Sequence, residues 1–388
     1  MEGGSIPKER SSSTQTRARS ADAEATIPQA GPRTRLSTVV REPFCAEAPL
    51  PTLDTWITPT DRFFIRSHFA VPAIDSASWR LSIEGKVPRP ATFTLSQLRE
   101  FPRHTIVTTM ECAGNSRSFV TPPVTGVPWG NGAVGTARWS GVSLGALVDR
   151  VEPNVESGDV VLWGADRGRE KGMSGEVQYA MSIPAAKARH PDTLLAFEMN
   201  GEPLSPSHGF PVRAIVPGWY GMASVKWLNR IEIIGGRFQG YYRTREYAFV
   251  REGDDPQAAA PPVTIQLVKS LITWPGQNDE LRTGHHLVKG FAWSGEGMIV
   301  RVELSISDES APPLLRWQEA KLLEPRSPHA WIRWELPIEM VNPGRYVLRV
   351  RATDDAGNAQ PILAERNVRG VASNSIQSVP ITVAHRTA

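Results

Sequence analysis

The second half of the chain alternates apolar and polar residues with a period of two. Val300, Val302 and Leu304 are separated by single polar residues, and Leu348 and Val350 repeat the pattern. A period of two indicates strands with one buried face. The pattern and the turn-rich segments between its repeats predict strands over residues 265–271, 287–293, 298–307, 331–336 and 345–353. We therefore expect a β-sandwich of about seven strands.

The first half mixes short apolar runs with helix start signals. Runs bounded by Gly, Pro or Asn predict strands over residues 105–110, 160–163, 194–199, 212–216 and 231–234. Thr94 with Gln97 three residues on, Ser143 and Ser182 each stand where a helix N-cap is expected. The two element types do not alternate regularly, so the fold class is α+β rather than a doubly wound sheet.

A Pro-rich polar segment, residues 251–262, lacks any apolar period and is the best domain boundary. It separates a first domain over residues 41–255 from a second over residues 262–384. Residues 1–40 are predicted to be a disordered tail, because the first 36 contain six Lys or Arg, four Asp or Glu and no aromatic residue. The tail lacks the apolar core of a signal peptide, which predicts a cytoplasmic location.

Composition excludes several classes of protein. With 40% hydrophobic and 21% charged residues in 388, the chain can bury a large core, so global disorder is excluded. A net charge of +3 indicates neither a nucleic-acid nor a membrane partner. The two cysteines, Cys45 and Cys112, are too few for a disulfide scaffold or a Cys-rich metal site. No run of 18 or more apolar residues occurs, so no membrane span is predicted.

Cys112 follows a predicted strand and lies in a small polar turn, residues 112–118. A lone cysteine is more often a small buried hydrophobe than a ligand. The nearby Arg117 favours the other interpretation, because a cation lowers the pKa of a thiol. A single thiolate cannot make a structural metal site, so a metal here needs its other ligands from a cofactor.

Cations recur in segments that are suited to binding a large anion. They are Arg66, His68, His208, Arg213 and Lys226, the last following the Gly-rich loop of residues 217–221. Arg, Lys and exposed backbone N–H groups commonly bind phosphate. For any one of them, a surface ion pair or a core histidine is the more common role. Neither a dinucleotide fingerprint, a Walker loop nor a nucleophile elbow is present.

As an ordered set, these segments resemble the sulfite oxidase family of molybdenum enzymes. The resemblance runs from about Arg41 to the C-terminus and is carried by residues 63–68, 111–117, 132–144, 198–204, 208–213, 224–228 and 369–374. It implies a mixed α/β molybdopterin domain followed by an all-β, immunoglobulin-like dimerisation domain.

The resemblance also implies roles for individual residues. Cys112 would be the thiolate ligand of molybdenum, beside the sulfurs of molybdopterin. The residues that would hold the cofactor are Phe64, Ile65, Arg66, Ser67, His68, Asp166, His208, Arg213, Ser224, Val225 and Lys226. Those that would form the substrate pocket are Arg66, Arg117, Trp129 and Tyr247. Relatives supply a third pocket arginine from the second domain, and Arg333 is displaced by one residue from that position, which turns a strand side chain to the other face.

The implied function is oxidation of sulfite to sulfate by oxygen-atom transfer. The chain has no Cys-x-x-Cys-His and no second redox module, so electrons would pass to a separate acceptor such as a cytochrome c. The same cofactor could instead act on another small oxyanion, on nitrate or on a sulfoxide. A different class, a non-enzymatic binding protein that uses the sandwich, also stays open. Trp293, Trp331 and Trp334, which the pattern leaves on more than one strand face, together with the resemblance predict a homodimer through residues 263–383.

Overall fold

The computed structural model describes residues 1, 36–153, 158–255, 260–310 and 315–385, and the predictions for residues 2–35 lie outside it. The end of the predicted tail needs correction. Ser37–Val40 form strand β1, which pairs antiparallel with β2 (Cys45–Glu47). The reason is local, because Thr38, Val39 and Val40 are β-branched and favour an extended backbone. Within the described ranges no helix is long and apolar enough to cross a membrane.

Strands dominate the part of the chain before residue 250. After β1 and β2 they are β3 (Ile65–Arg66), β4 (Arg80–Gly85), β5 (Ala91–Thr94), β6 (Arg103–Glu111), β7 (Val134–Ser143), β8 (Asp159–Gly168), β9 (Val177–Pro184), β10 (Leu194–Met199), β11 (Glu202–Pro203), β12 (Arg213–Ile215) and β13 (Leu228–Ile234). The α-helices are α1 (Leu95–Arg99), α2 (Leu144–Arg150) and α3 (Ala185–Ala188). Single helical turns cover Leu50–Thr52, Thr60–Arg62, Arg117–Phe119, Pro206–His208, Gly221–Ala223 and Tyr242–Glu246. Helix is therefore scarcer than a mixed α/β domain suggests.

Three sheets position the site. One has the order β11-β10-β7-β6, with β12 also on β10; a second has the order β5-β4-β13-β8-β9; the third joins β1, β2 and β3. Neighbouring strands in these three sheets are antiparallel, except that β13 runs parallel to β4. The ends of β3, β6 and β8 and the start of β12 carry the polar residues that the next section describes. These side chains therefore lie at the ends of strands rather than on helices.

The predicted helix starts have different outcomes. Thr94 caps α1 through a complete capping box with Gln97, and Ser143 precedes α2 without a side-chain cap. The prediction at Ser182 is wrong, because Ser182 lies inside β9 and α3 begins only at Ala185. The Ser182 hydroxyl donates to Asp159 Oδ2 at 2.7 Å, so a buried contact between neighbouring strands replaces the cap.

A sandwich of two sheets forms the second region. Its strands are β14 (Lys269–Trp274), β15 (Glu280–Arg282), β16 (Gly284–Trp293), β17 (Ile299–Asp308), β18 (Trp317–Glu319), β19 (Lys321–Leu323), β20 (Ile332–Met340), β21 (Gly344–Asp354) and β22 (Gln377–Ala384). The sheet orders are β14-β16-β20-β19 and β15-β22-β21-β17-β18. The described strands outnumber the seven expected. The first also starts later than predicted, because residues before Lys269 contact the first region instead, where Gln266 N donates to Gly218 O at 2.9 Å.

Trp293, Trp331 and Trp334 are buried, so their side chains are not available to contact a second copy of the chain. Trp334 is fully buried in the sandwich core. Trp293 and Trp331 are each 1% exposed and pack, with Leu271, against Val134 of β7. These indoles therefore fill the sandwich core and the seam with the first region, and the argument that placed them in a dimer interface is wrong.

Candidate active site

A cleft that is partly open to solvent lies beside the end of β6. Its walls combine aromatic rings, several cations, one carboxyl group and one thiol. The lining residues are Phe63, Phe64, Arg66, His68, Met110, Cys112, Ala113, Asp166, Tyr179, Ser207, His208, Arg213, Gly221, Met222, Ser224, Val225, Lys226, Trp227 and Tyr247. Residues far apart in sequence thus converge on one concave surface, which is typical of a cofactor or substrate site.

The turn that follows β6 presents Cys112 to the cleft. Cys112 N donates to Ala133 O and its carbonyl accepts from Asn115 N, both at 2.9 Å. At Gly114 a Cβ atom would lie 2.7 Å from the Arg117 guanidinium, so a larger residue there would displace that side chain. Burial raises the pKa of the Cys112 thiol, and Arg66 and Arg117 offset this only in part. The expectation that Arg117 makes this thiol acidic is therefore not met in the protein alone.

A second wall of the cleft carries two cations, Lys226 and Arg213, and the imidazole of His208. Lys226 Nζ donates to Ser207 O at 2.8 Å, and Arg213 donates to Ser224 O at 2.9 Å and to His208 O at 3.1 Å. Gly209, with φ of 105°, permits the close approach, because its absent Cβ would lie about 3 Å from both Arg213 and Lys226. Burial lowers the pKa of Lys226 to about 7, of Arg213 to about 9 and of His208 to about 3. This wall lacks the counter-charge that a bound anion would supply.

Asp166 supplies the carboxyl group of the cleft. Burial raises its pKa to about 6, although Lys226 and Arg66 favour the ionised form. Its Oδ1 atom is buried with no hydrogen-bond partner, and so is Nε of Arg213. Buried polar atoms are nearly always paired, so these two indicate a polar ligand that completes the cleft.

Arg66, His68, Tyr179 and Tyr247 occupy one end of the cleft. His68 Nε2 lies 2.6 Å from Tyr247 Oη, and the imidazole stacks on Tyr179 with ring centroids 4.4 Å apart. Burial lowers the pKa of His68 well below its usual value, with further lowering by Arg66 and Lys226. Burial alone would lower the pKa of Arg66, but Tyr247 and the two thiols raise it. At neutral pH this end therefore combines a charged guanidinium with a neutral imidazole and a neutral phenol.

Four of the residues predicted for the site stand behind the cleft wall. Ile65 and Ser67 do not line the cleft, although the Ser67 carbonyl accepts from Arg66. Arg117 does not line it either, since its guanidinium donates to Gly370 O at 3.1 Å and to Val127 O at 3.0 Å. Trp129 is fully buried, with its ring edge-on to Phe64. The other predicted site residues all line the cleft.

The second region approaches the cleft through residues 367–373 rather than through Arg333. Arg333 lies on β20, where it donates to Glu324 O at 2.7 Å. Ala372 N donates to Ala113 O at 2.7 Å, next to Cys112. In the same segment Arg369 has a buried Nε without a partner and acts on the pKa of Tyr241. Sequence reasoning noted this segment for its resemblance but not as a source of a cation near the site.

Eight lining residues were not predicted, and two of them, Met110 and Tyr179, were missed for different reasons. Met110 could have been found, because it stands two residues before Cys112 and so shares its side of the strand. Tyr179 gave no signal, since it lies within the apolar alternation of β9, and only the sheet order brings it to His68.

The donor set fits molybdopterin carrying molybdenum. Among described residues no group of three or more protein side chains could hold a metal ion, so a metal at Cys112 needs ligands from a cofactor. The cations and the unpaired Arg213 Nε fit a phosphate, and the unpaired Asp166 oxygen fits an N–H donor of a pterin ring.

Comparisons with known proteins agree with this fit. The family described as oxidoreductase molybdopterin binding domain matches residues 68–242, and the Mo-co oxidoreductase dimerisation domain matches residues 263–384. Mitochondrial sulfite oxidase of Homo sapiens is 36% identical over 363 residues, covering 88% of this chain and 65% of the relative. Sulfite oxidase of Gallus gallus is 35% identical over 359 residues, covering 86% and 75%.

A solved structure is similar over nearly the whole length of both chains. The sulfane dehydrogenase SoxCD from Paracoccus pantotrophus has a TM-score of 0.77 and 27% identity, covering 94% of this chain and 92% of that one. The chain spans only 65% of the length of its mammalian relatives.

Proposed function

Since this chain belongs to the sulfite oxidase family of molybdopterin oxidoreductases, we propose that it oxidises sulfite to sulfate. The observation that carries the proposal is the convergence of a buried thiol, Cys112, with the cations Lys226, Arg213 and Arg66 in one cleft. Sulfite and water together yield sulfate, protons and two electrons, and the electrons need an acceptor. We propose a separate protein such as a cytochrome c for that role; in the 388 residues the two cysteines form no c-type haem attachment motif.

We propose that the cofactor is held by the cleft walls. Cys112 would be its thiolate ligand, which requires loss of the thiol proton on metal binding. The cradle would consist of Phe64, Ile65, Arg66, Ser67, His68, Asp166, His208, Arg213, Ser224, Val225 and Lys226, with Ile65 and Ser67 acting from behind the wall. When bound, the molybdenum cofactor supplies oxygen-atom transfer and a two-electron redox couple.

The residues at the end of the cleft that contains Arg66 and Tyr247 would bind the substrate and hold protons. The charged Arg66 would attract and orient the sulfite dianion. Tyr247, hydrogen-bonded to His68, would hold a proton close to the substrate oxygens, and the neutral imidazole would keep the phenol in place. Arg117 and Trp129 support this pocket from behind, Arg117 by fixing the turn of Cys112 and Trp129 by packing on Phe64.

Sulfane sulfur is the second candidate substrate, because the similarity to the sulfane dehydrogenase extends over almost the whole of that chain. Steady-state assays with sulfite, a protein-bound persulfide, nitrate and a sulfoxide, with ferricyanide or a reduced dye as redox partner, distinguish these reactions. We expect the highest kcat/KM for sulfite and about one molybdenum per chain after expression in a host that makes the cofactor. Folded protein that contains no molybdenum would instead support a non-enzymatic binding protein.

We further propose that residues 262–384 are an immunoglobulin-like domain that pairs two copies of the chain, with residues 41–255 as the catalytic domain. The match to a dimerisation domain supports this, as do exposed apolar side chains in that region, with Leu363 at 82% and Val341 at 69%. Light scattering tests it, since a mass of one chain, 42.6 kDa, would contradict a dimer. The cytoplasmic location stays a prediction, which cell fractionation tests.

A further inference from the structure

A buried ion pair joins the second region to the residue that precedes Cys112. Glu111 ends β6 and Lys269 begins β14, and their side chains are 1% and 2% exposed. Lys269 Nζ lies 2.9 Å from Glu111 Oε1, and Trp293 Nε1 donates to Glu111 Oε2 at 2.9 Å. Lys269 and Trp293 both belong to the sandwich. The negative charge of Glu111 is therefore balanced by the Lys269 ammonium only when the sandwich is docked.

The Lys269 ammonium also holds two other segments in place. It donates to Ser373 O at 3.0 Å and lies 3.5 Å from Asn115 O. Asn115 in turn donates from Nδ2 to Glu111 Oε1 at 3.0 Å and accepts at Oδ1 from Ala133 N at 3.1 Å. One cation thus fixes the Cys112 turn and the segment of residues 367–373 relative to each other.

Two further hydrogen bonds join the Cys112 turn to residues 367–373. Ala372 N donates to Ala113 O at 2.7 Å, and Arg117 Nε donates to Gly370 O at 3.1 Å. These contacts flank Cys112 on its C-terminal side, whereas the ion pair flanks it on its N-terminal side. Besides the backbone contacts of Cys112 to Ala133 and Asn115, its thiol accepts from the backbone N–H of Gly114 in the same turn. The direction of the side chain therefore depends on how firmly this turn is held.

We propose that Lys269 is a positioning residue of the active site, which acts through Glu111 and Ser373 to hold the Cys112 thiol in the cleft. The inference rests on the proposed role of Cys112 as a metal ligand. It assigns the sandwich a second task besides any pairing of chains, since the catalytic turn is held by a side chain that the sandwich supplies.

The first test measures the accessibility of the thiol in cofactor-free, full-length protein. Iodoacetamide alkylation is followed by mass spectrometry, which reports Cys112 and the fully buried Cys45 separately. In Lys269→Met we expect Cys112 to react at least about tenfold faster than in wild type while Cys45 stays unreactive, because local opening exposes only the loosened turn. Equal Cys112 rates in the two proteins would overturn the proposal.

Asp159→Asn is the matched control. Asp159 is also a buried carboxylate, 1% exposed, and its partners are Ser182, Arg237 and Arg243. It lies at the start of β8, seven residues along the strand from the cleft residue Asp166. Its replacement should lower stability while the Cys112 rate stays at the wild-type value. A rise in the Cys112 rate as large as that in Lys269→Met would mean that general loosening explains both, and the proposal would fail.

The double variant Glu111→Gln, Lys269→Met covers the case in which an unpaired Glu111 prevents folding. Replacing both charges removes the buried unpaired carboxylate but not the loss of the contact to Ser373. In the molybdenum-loaded double variant we expect kcat for sulfite to fall at least about tenfold with KM changed less than twofold, because Arg66 lies on a different strand. Unchanged kcat would contradict the proposal. If wild type held no molybdenum, the proposed function would fail, and the alkylation rates would still decide the role of Lys269.

Discussion

His68 Nε2 and Tyr247 Oη lie 2.6 Å apart at one end of the cleft, and both groups are neutral at neutral pH. Burial lowers the pKa of the imidazole and raises that of the phenol, so neither group ionises easily. A neutral phenol beside a neutral imidazole can hold a proton at its oxygen, whereas both pKa shifts oppose its transfer to the imidazole. The pair is therefore suited to holding a proton at Tyr247, next to the substrate, rather than to binding charge.

Replacing Tyr247 by Phe tests this relationship. We expect kcat for sulfite to fall about a hundredfold, in the range of a lost proton-transfer group, while KM changes less because Arg66 is intact. Tyr241→Phe is the control, since Tyr241 does not line the cleft. Steady-state kinetics of both variants against wild type make the comparison. Equal effects of the two changes would remove the special role of Tyr247.

The two arginines are predicted to differ in effect. Arg66 lines the cleft and Arg117 does not, so Arg66→Gln should raise the KM for sulfite at least about tenfold, as for a lost charge-assisted contact worth about 1.5 to 3 kcal/mol. Arg117→Gln should raise KM less and lower the free energy of unfolding by about 1 to 3 kcal/mol, because two backbone carbonyls lose their donor. Kinetics and urea unfolding of both variants give the test. The reverse ranking of KM would place Arg117 in the pocket.

The pH dependence of stability follows from Lys226 and Asp166. The pKa of Lys226 is lowered to about 7 and that of Asp166 is raised to about 6. Above pH 7 the folded cofactor-free protein releases the Lys226 proton while the unfolded chain keeps it, so its free energy of unfolding should rise with pH. Below pH 6 the folded state binds the Asp166 proton more tightly than the unfolded chain, which favours the fold as pH falls toward 4. His68 and His208 oppose this effect, because burial lowers the pKa of both and the unfolded chain protonates them first.

The rise above pH 7 is therefore the part of the profile that reports Lys226, because the pKa values of Asp166 and of the two histidines lie below it in the folded state. Urea unfolding between pH 5 and 9 of wild type and Lys226→Met measures the contribution of the lysine. The rise above pH 7 should be smaller in the variant. It should also be smaller in cofactor-loaded wild type, because a bound phosphate favours the charged lysine. A rise of the same size in all three proteins would contradict the assignment.

Local signals predicted the elements, and distant contacts decided the exceptions. The capping box of Thr94 and Gln97 forms because both partners lie within one turn. Ser182 has the same kind of signal, yet it sits in β9 because a buried partner, Asp159, lies on the neighbouring strand. Alternation along one strand cannot show which strand lies next to it, so the placement of the tryptophans in the seam was not predictable from periodicity.

The candidate site shows the same limit. Cys112, Arg66, Arg213 and Lys226 were found because each stands in a distinctive short motif, and the structure brings them together. Arg117 stands in an equally distinctive motif, but whether it faces the cleft depends on the carbonyl of Gly370, more than 200 residues away. The ion pair of Lys269 with Glu111 could not be predicted for the same reason, since a single lysine at the start of a strand has no local signature.

Molybdenum K-edge X-ray absorption of wild type and Cys112→Ser tests the central claim most directly. The claim is that the thiolate of Cys112 binds molybdenum beside the sulfurs of the pterin. Serine offers a hydroxyl, a poor ligand for this soft-sulfur role, in nearly the same volume, so the fold should persist. The account predicts one fewer sulfur neighbour in the variant and loss of sulfite oxidation. The same sulfur count with wild-type turnover would contradict it.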